Sequence, residues 1–415
     1  MINKLKNKKL LVLFDQILVS GSNFLLGILL ARNLGMNIFG EFSFIWLIVL
    51  FFSSIQLALI ISPILTHATK KSNYIQDFYL TNFIYFQFFF SFLCLLILIS
   101  IYKVSDYIDF GINLKNINIF VLTTILAFLS QDFIRRYYII KNKYFTLLSL
   151  DIVAYLGQLL VILILIFNTK LSLENLFITI SLSFFTSYII GLILTKRKKI
   201  KLNYARKIFK RNWSFSQWLV YSSLLQWGTG NLFIIMAGTL LGPWAVGVIR
   251  IMQNTMGLFN VLFIFLENVL PINFANIFKK YGFIKMYEYY KLKLIQGILI
   301  MIALISIIFF ISDEIVSLLY GNEYLQYSYL LIGYFVIYMF LYLNILQRIL
   351  IRTVEKTKII LFSYVISSIF SIFFSTYFIN KYGINGVIYG TIITQILILI
   401  IIYFEINKLY KDSTC

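Results

Sequence analysis

The chain has 415 residues, of which 60% are hydrophobic and 13% charged, about half the ~25% charged share of a soluble domain. Apolar runs of about twenty residues, the length that crosses a bilayer as a helix, recur from end to end. They exclude a soluble globular domain and equally a transmembrane β-barrel, whose segments are short and alternating. The formal net charge of +20 would suit nucleic acid, but its placement points elsewhere.

The opening MINKLKNKKLLVLF is basic and then apolar, as a signal peptide is. The apolar stretch runs on to about Leu30 and no small-x-small cleavage site follows, so it reads as an uncleaved first helix. Twelve spans are predicted, near 10–31, 39–61, 79–102, 116–138, 146–167, 172–194, 214–241, 244–270, 292–311, 327–347, 358–379 and 384–404. With the N-terminus in the cytoplasm, 30 of the 36 Lys and Arg fall on inside segments and 5 on outside loops, and the one left, Arg250, lies within a span. That is the positive-inside pattern, with both termini cytoplasmic. The basic balance is therefore a topology signal and a contact for anionic lipid heads, with no nucleic acid as partner.

The expected fold is an all-α polytopic membrane protein of two six-helix lobes, 1–195 and 214–415, joined by a basic cytoplasmic linker, 196–213. Each half repeats a phrase at its first-to-second span junction. Leu34-Gly35-Met-Asn-Ile-Phe-Gly40 and Leu241-Gly242-Pro-Trp-Ala-Val-Gly247 both read L-G-x4-G, 207 residues apart. Both fall on expected outside turns, which suggests duplication and a site between two related bundles. The longest outside loop, SDEIVSLLYGNEYLQ (312–326), holds no Lys or Arg and leaves no room for a folded outside domain.

The eighth span, VIRIMQNTMGLFNVLFIFLENVLP (248–271), is the most informative stretch. At 100° per residue, Arg250, Gln253, Asn254, Gly257, Asn260, Glu267 and Asn268 share an arc of about 140°, opposite Val248, Ile251, Thr255, Leu262, Phe265 and Val269. A charge at the bilayer centre costs roughly 3 kcal/mol, so this polar face is expected to look into a cavity. The first span stacks Gln16, Ser20, Asn23 and Gly27, and the seventh stacks Ser222, Gln226 and Thr229, with Asn231 nearby. The first, second, seventh and eighth spans are thus expected to line a central passage. Helix-to-helix hydrogen bonding is the competing reading for Gln16, Asn23, Gln226 and Asn231. Asp15, Asp132, Asp151 and Glu267 lie near cytoplasmic ends, where pairing with Arg135, Arg136 or Lys9 is the simple reading, and Glu41 is placed to pair with Arg32. Arg250 sits about 10 Å along the helix from Pro243. A guanidinium facing a cavity suits a phosphate or diphosphate, through two parallel charge-assisted hydrogen bonds; a salt bridge across the halves is the alternative.

Catalytic signatures are missing: there is no Walker A loop, H-E-x-x-H, loop D-x-D pair or G-x-S-x-G. Cys94, Cys415 and His67 are too few and too distant for a disulfide framework or a metal site. No catalytic residue, metal or cofactor is expected. Uphill transport would draw on a proton or sodium gradient or an ATP-driven partner, with Asp15, Glu267 and Glu41 as ion-coupling candidates.

The phrases LLARNLGMNIFGEFSF (29–44) and GNLFIIMAGTLLGPWAVGVIRIMQNTMGLFNVLFIFLENVLP (230–271) resemble the polysaccharide-transport branch of the multidrug/oligosaccharidyl-lipid/polysaccharide exporter (MOP) superfamily, in particular its O-unit and capsular-repeat (Wzx-type) flippases. KYGINGVIYGTIITQI (381–396) resembles a G-x-x-G helix opening common there. The resemblance implies a V-shaped pair of MATE-like lobes alternating between inward- and outward-open forms in the bacterial inner membrane. The implied substrate is an oligosaccharide linked by diphosphate to undecaprenol, moved by a cation gradient, with a polysaccharide polymerase and a chain-length regulator as partners. Arg32, in the A-R-x-L-G phrase, and Arg250, Gln253 and Asn254, in the G-x-x-R-x-x-Q-N phrase, are the cavity residues it implies. Three rivals stand beside it. A drug/cation antiporter of the same fold wants an acid deep in a lobe. A major-facilitator sugar transporter wants G-x-x-x-D-R-x-G-R where this chain has SPILTHATKKSNY. A membrane polymerase or ligase, as in O-antigen assembly, wants a large outside loop.

Overall fold

The computed structural model describes residues 2–68, 73–104, 119–195 and 202–414. Cys415, Lys70 and Lys71, residues 116–118 of the fourth predicted span and residues 196–201 of the basic linker lie outside the described residues, as do the side chains of Lys9, Leu262, Phe265 and Asn268.

Long apolar runs must satisfy every backbone N–H and C=O without water, and helices do this within one segment. The order is α1 (Ile2–Gln56), a π-turn (Leu57–Ile61), α2 (Ser62–Ala68), α3 (Asn73–Val104), α4 (Ile119–Ile140), α5 (Tyr144–Asp151), a second π-turn (Ile152–Leu156), α6 (Gly157–Phe167), α7 (Leu173–Ile193), α8 (Leu202–Leu241), α9 (Pro243–Tyr320), a 3-10 turn (Asn322–Tyr327), α10 (Tyr329–Thr353), α11 (Lys358–Tyr382) and α12 (Asn385–Thr414). No strand occurs among the described residues. α1 and α9 each break once, at Gly35 (φ 75°) and Gly282 (φ 78°). Counting the legs on either side of these breaks, and α5 to α6 as one leg, gives six before residue 195 and six after 202. The fold is thus the expected all-α bundle of twelve membrane-length legs. Nine described stretches are apolar and long enough to cross a bilayer on length and composition alone. α4 is not among them, because Asp132, Arg135 and Arg136 all fall in it.

Three stretches differ from expectation. Residues 271–291, expected as a loop, are helix throughout apart from Gly282, and Lys285 pairs with Glu288 one turn on at 2.7 Å. Pro271 sits inside this helix, which membrane helices tolerate where freed backbone groups find other partners. The expected loop 312–326 is instead the end of α9 followed by the 3-10 turn. Residues 202–213, expected within the linker, are the first turns of α8. In each case a polar composition signals emergence from the bilayer, while the absence of closely spaced breakers lets the helix run on.

The chain forms two compact units. The first comprises Met1–Leu34 and Glu41–Leu224, the second Gly35–Gly40 and Leu225–Cys415. The division between these units falls within α8, between Leu224 and Leu225. The head of α8 is tied to the first unit: Tyr79 Oη donates to Asn212 Oδ1 at 2.7 Å and Ser216 Oγ donates to the Leu59 carbonyl at 3.3 Å. α4 packs on α7 in the first unit, and α9 on α10 and α11 on α12 in the second.

Apart from Leu34, both L-G-x4-G turns belong to the second unit, and there they meet reciprocally. A Cβ on Gly40 would strike the Pro243 carbonyl, and one on Gly247 would strike the Met36 carbonyl. Met36 and Pro243 are themselves 207 residues apart, so the contact repeats with the same offset as the phrase. Glu323 Oε1 accepts from the Met36 N–H at 3.0 Å, capping the leg that begins there with a negative charge where the helix dipole favours one.

Candidate functional site

A cavity of about 380 Å³ lies within the second unit. From α9 it takes five residues of the predicted polar arc: Arg250, Gln253, Asn254, Gly257 and Asn260. Spacings of three and four put them on one helical face, while Val248 and Ile251 on the other face are fully buried. α8 adds Gly230 and Ile234, α10 adds Tyr334, Ile337, Tyr338 and Leu341, and α12 adds Thr391 and Gln395.

The wall is held by hydrogen bonds behind it. Asn254 Nδ2 donates to Tyr320 Oη at 3.2 Å, and that hydroxyl lies 3.0 Å from Thr255 Oγ1. Tyr338 Oη donates to Asn260 Oδ1 at 3.2 Å, and its ring stacks on Phe263 with centroids 5.6 Å apart. Asn344 Nδ2 donates to Gln395 Oε1 at 2.9 Å. Arg250 is the sole cation of the lining among the described residues. Its Nη1 donates to Gln253 Oε1 at 3.3 Å, and among the described residues no carboxylate lines the cavity. A guanidinium within a membrane leg and without an acid is costly unless something negative joins it. Amide and phenol groups around it can bind neutral hydroxyls, and the volume falls in the ~300–1,000 Å³ range of small-molecule sites.

The structure does not bring the other candidates to this cavity. Arg32, Gln16 and Asn23 are exposed in the first unit, and Gln16 donates to Ser20 Oγ in its own helix at 3.2 Å. Asn231 is turned back on its own helix, donating to the Trp227 carbonyl at 2.9 Å. Glu41 is half-buried on α1. Of the spans expected to line a passage, α8 and the first leg of α9 contribute here, and α10 and α12 supply the remaining walls. Tyr334, Tyr338 and Leu341 form an i, i+4, i+7 stripe, and Thr391 and Gln395 an i, i+4 pair. That periodicity was available in the sequence, but the residues are too weakly polar to stand out from ordinary membrane packing.

A second buried polar cluster lies in the first unit. Arg135 Nε donates to Asp151 Oδ2 at 2.7 Å, and Arg135 Nη2 donates to Asp15 Oδ2 at 3.1 Å. Gln131 Nε2 donates to Asp151 Oδ1 at 2.8 Å, and the guanidinium lies 5.8 Å from the Tyr155 ring centre. Asp132 pairs with Arg136 at 3.4 Å. The expected ion pairs of Asp15, Asp132 and Asp151 are thus formed. The second π-turn starts directly after Asp151, a local widening of the kind that re-aims side chains. One guanidinium serves two carboxylates, and Asp15 Oδ1 and Gln131 Oε1 are buried without a hydrogen-bond partner among the described residues. Glu267, in the second unit, lies 3.7 Å from Arg348, a residue the sequence did not single out. No group of three or more metal-ligating side chains occurs among the described residues.

No protein-family model matches the sequence, and no curated protein matches it. Solved structures do match. Lipid II flippase MurJ, in an inward closed conformation, superposes with a TM-score of 0.71 at 16% identity, over 96% of this chain and 87% of that one. An inward-facing multidrug resistance MATE family transporter of the MOP superfamily gives 0.73 at 14% identity, over 96% of each chain. A MOP superfamily transporter from Pyrococcus furiosus, reported for the reverse polarity of its binding pocket, gives 0.53 at 12% identity, over 99% of this chain and 96% of that one. The chain therefore carries the MurJ- and MATE-like fold along nearly its whole length.

Proposed function

We propose that this protein is a flippase that carries undecaprenyl-diphosphate-linked oligosaccharide repeat units across the bacterial inner membrane by alternating access. The observation that carries the reading is Arg250: a guanidinium in a cavity walled by amides and phenols, with no carboxylate in the lining among the described residues. A diphosphate supplies the missing negative charge through charge-assisted hydrogen bonds. The amides and the Tyr334 and Tyr338 rings offer hydrogen bonds and flat faces to sugars. The polyprenyl tail stays in the bilayer, where it costs nothing to leave it. A lipid II flippase is among the structures that share the fold, and the resemblance of the two half-start phrases to Wzx-type sequences points the same way. Both termini would be cytoplasmic, and a polymerase and a chain-length regulator would use the product.

The driving force we assign to the proton gradient, through the cluster in the first unit. Asp15 and Asp151 carry two negative charges against one on Arg135, and two buried acceptor atoms there lack a donor. One proton balances the charge and supplies a donor. A sodium ion would have to sit beside the guanidinium, which repels it.

A drug/cation antiporter of the same fold is the second reading, favoured by the MATE structures. The cavity opposes it, because its one charge is positive. A membrane polymerase or ligase would need a large outside loop carrying catalytic groups, and among the described residues no carboxylate lines the cavity. The test is reconstitution in liposomes with a fluorescent undecaprenyl-diphosphate oligosaccharide. Leaflet exchange should be fast, should accelerate with an imposed pH gradient, and should be lost in Arg250→Ala. Ethidium transport with no exchange of the lipid-linked sugar would replace the flippase reading by the antiporter.

A further inference from the structure

The polar face that lines the Arg250 cavity does not stop at the cavity. Asn260 on α9 and Leu341 on α10 both line it. Glu267 and Arg348 lie seven residues further on along each helix, a step of two turns that returns to nearly the same face about 10 Å away. There the two side chains meet, with Arg348 Nη2 3.7 Å from Glu267 Oε1. The pair is long and unequal, for the Arg348 side chain is 14% exposed and that of Glu267 45%. Arg348 Nη1 donates to Tyr364 Oη at 2.7 Å, and its Nε is buried with no partner among the described residues. One half-buried guanidinium thus has one good neutral partner, one orphan N–H and one loosely held acid.

We propose that Arg348 is a second station for a phosphate-type anion, beyond Arg250 on the same polar face, and that Glu267 is the group the anion displaces. A phosphate offers three acceptor oxygens, enough to meet the orphan Nε and the Nη2 that Glu267 holds at long range. Glu267 serves as a stand-in that keeps Arg348 paired when no anion is bound. Its exposure lets it move into solvent or headgroups at small cost. Among the described residues, the titratable and charged groups in contact with Arg348 are Glu267 on α9 and Tyr364 on α11. This inference rests on the anion-carrying reading of the Arg250 cavity, and adds a place where the anion waits before or after reaching Arg250.

The test is titration of the purified full-length protein with inorganic diphosphate, read by calorimetry. Glu267→Gln keeps the shape, removes the competing charge and should tighten binding several-fold. Arg348→Ala should weaken it about tenfold, the loss expected for one charge-assisted contact, and Arg348→Lys, which keeps the charge and guards against misfolding, should weaken it less. In an Arg250→Ala background the Glu267→Gln tightening should persist. If Glu267→Gln and Arg348→Ala both leave affinity unchanged while Arg250→Ala abolishes it, the second station is wrong and the cavity reading stands. If binding depends on Arg348 alone and ignores Arg250, the cavity reading fails and the station stands. If no variant and no wild-type protein binds diphosphate, both are overturned. Repeating the titration in phosphatidylcholine and phosphatidylglycerol nanodiscs separates the sources of phosphate. Competition in the latter assigns the station to membrane headgroups, and equal affinity in both assigns it to the anion of the transported substrate.

Discussion

Each unit holds a half-buried arginine within a membrane leg, and the two are handled differently. In the first, Arg135 is clasped by Asp15 and Asp151, with Gln131 completing the contact. In the second, Arg250 has one amide oxygen at 3.3 Å and otherwise faces an open cavity. The same side chain meets the same cost of leaving water. In one unit that cost is offset by other parts of the protein, and in the other the offset is left to something that comes and goes. A half-buried cation with carboxylate partners therefore reads as architecture, and one with only an amide partner reads as a receptor for charge.

The contrast can be broken most severely at Arg135. Arg135→Ala leaves two buried carboxylates without a counter-ion, and should destabilise the protein by about 3–5 kcal/mol, seen as loss of the monodisperse peak in fluorescence-detected size exclusion. Arg250→Ala should do the opposite. It leaves folding and membrane level near wild type and cuts lipid-linked oligosaccharide exchange roughly a hundredfold, a loss of ~2.7 kcal/mol of barrier lowering. If Arg250→Ala unfolds the protein as Arg135→Ala does, the contrast fails. Arg250→Lys sharpens the point, since it keeps the charge but not the planar fork. About a tenfold loss of exchange, in the same liposome assay, marks two-pronged contact with phosphate; wild-type exchange would mean that charge alone matters. The smallest effect is expected of Asp15→Asn, which removes the surplus negative charge while keeping the shape. Stability should shift by about 1 kcal/mol or less, and exchange should no longer respond to an imposed pH gradient. A full response in Asp15→Asn vesicles would remove the proton from this cluster.

Much of the fold was legible because the bilayer writes it in long apolar runs and in the side on which lysines fall. The eighth span was legible for a sharper reason: Arg250, Gln253, Asn254 and Asn260 are conspicuous in an oily helix, and 3.6-residue geometry forces them onto one face. What lay opposite them was not legible. Tyr334 and Tyr338 are common packing residues in a chain with 29 tyrosines, and Gln395 lies 145 residues from Arg250. Arg348 looked like one more basic residue at a helix end. Likewise the acids in the first unit could be assigned to nearby cations, but that Asp15 and Asp151 would share one guanidinium required the tertiary placement of α1, α4 and α5. Loop lengths were overestimated for a simple reason. Hydropathy marks where a helix leaves the apolar layer, whereas only a breaker such as Gly282 marks where it ends.

The meeting of Gly40 with the Pro243 carbonyl, and of Gly247 with the Met36 carbonyl, has a consequence for how such a chain can change over generations. Each glycine presses on main chain, and no replacement of a neighbouring side chain relieves a clash with a peptide group. Neither copy of the motif can drift while the other stays fixed. The two copies of the phrase remain bound to a common vocabulary at this one spot, however far the residues around them diverge.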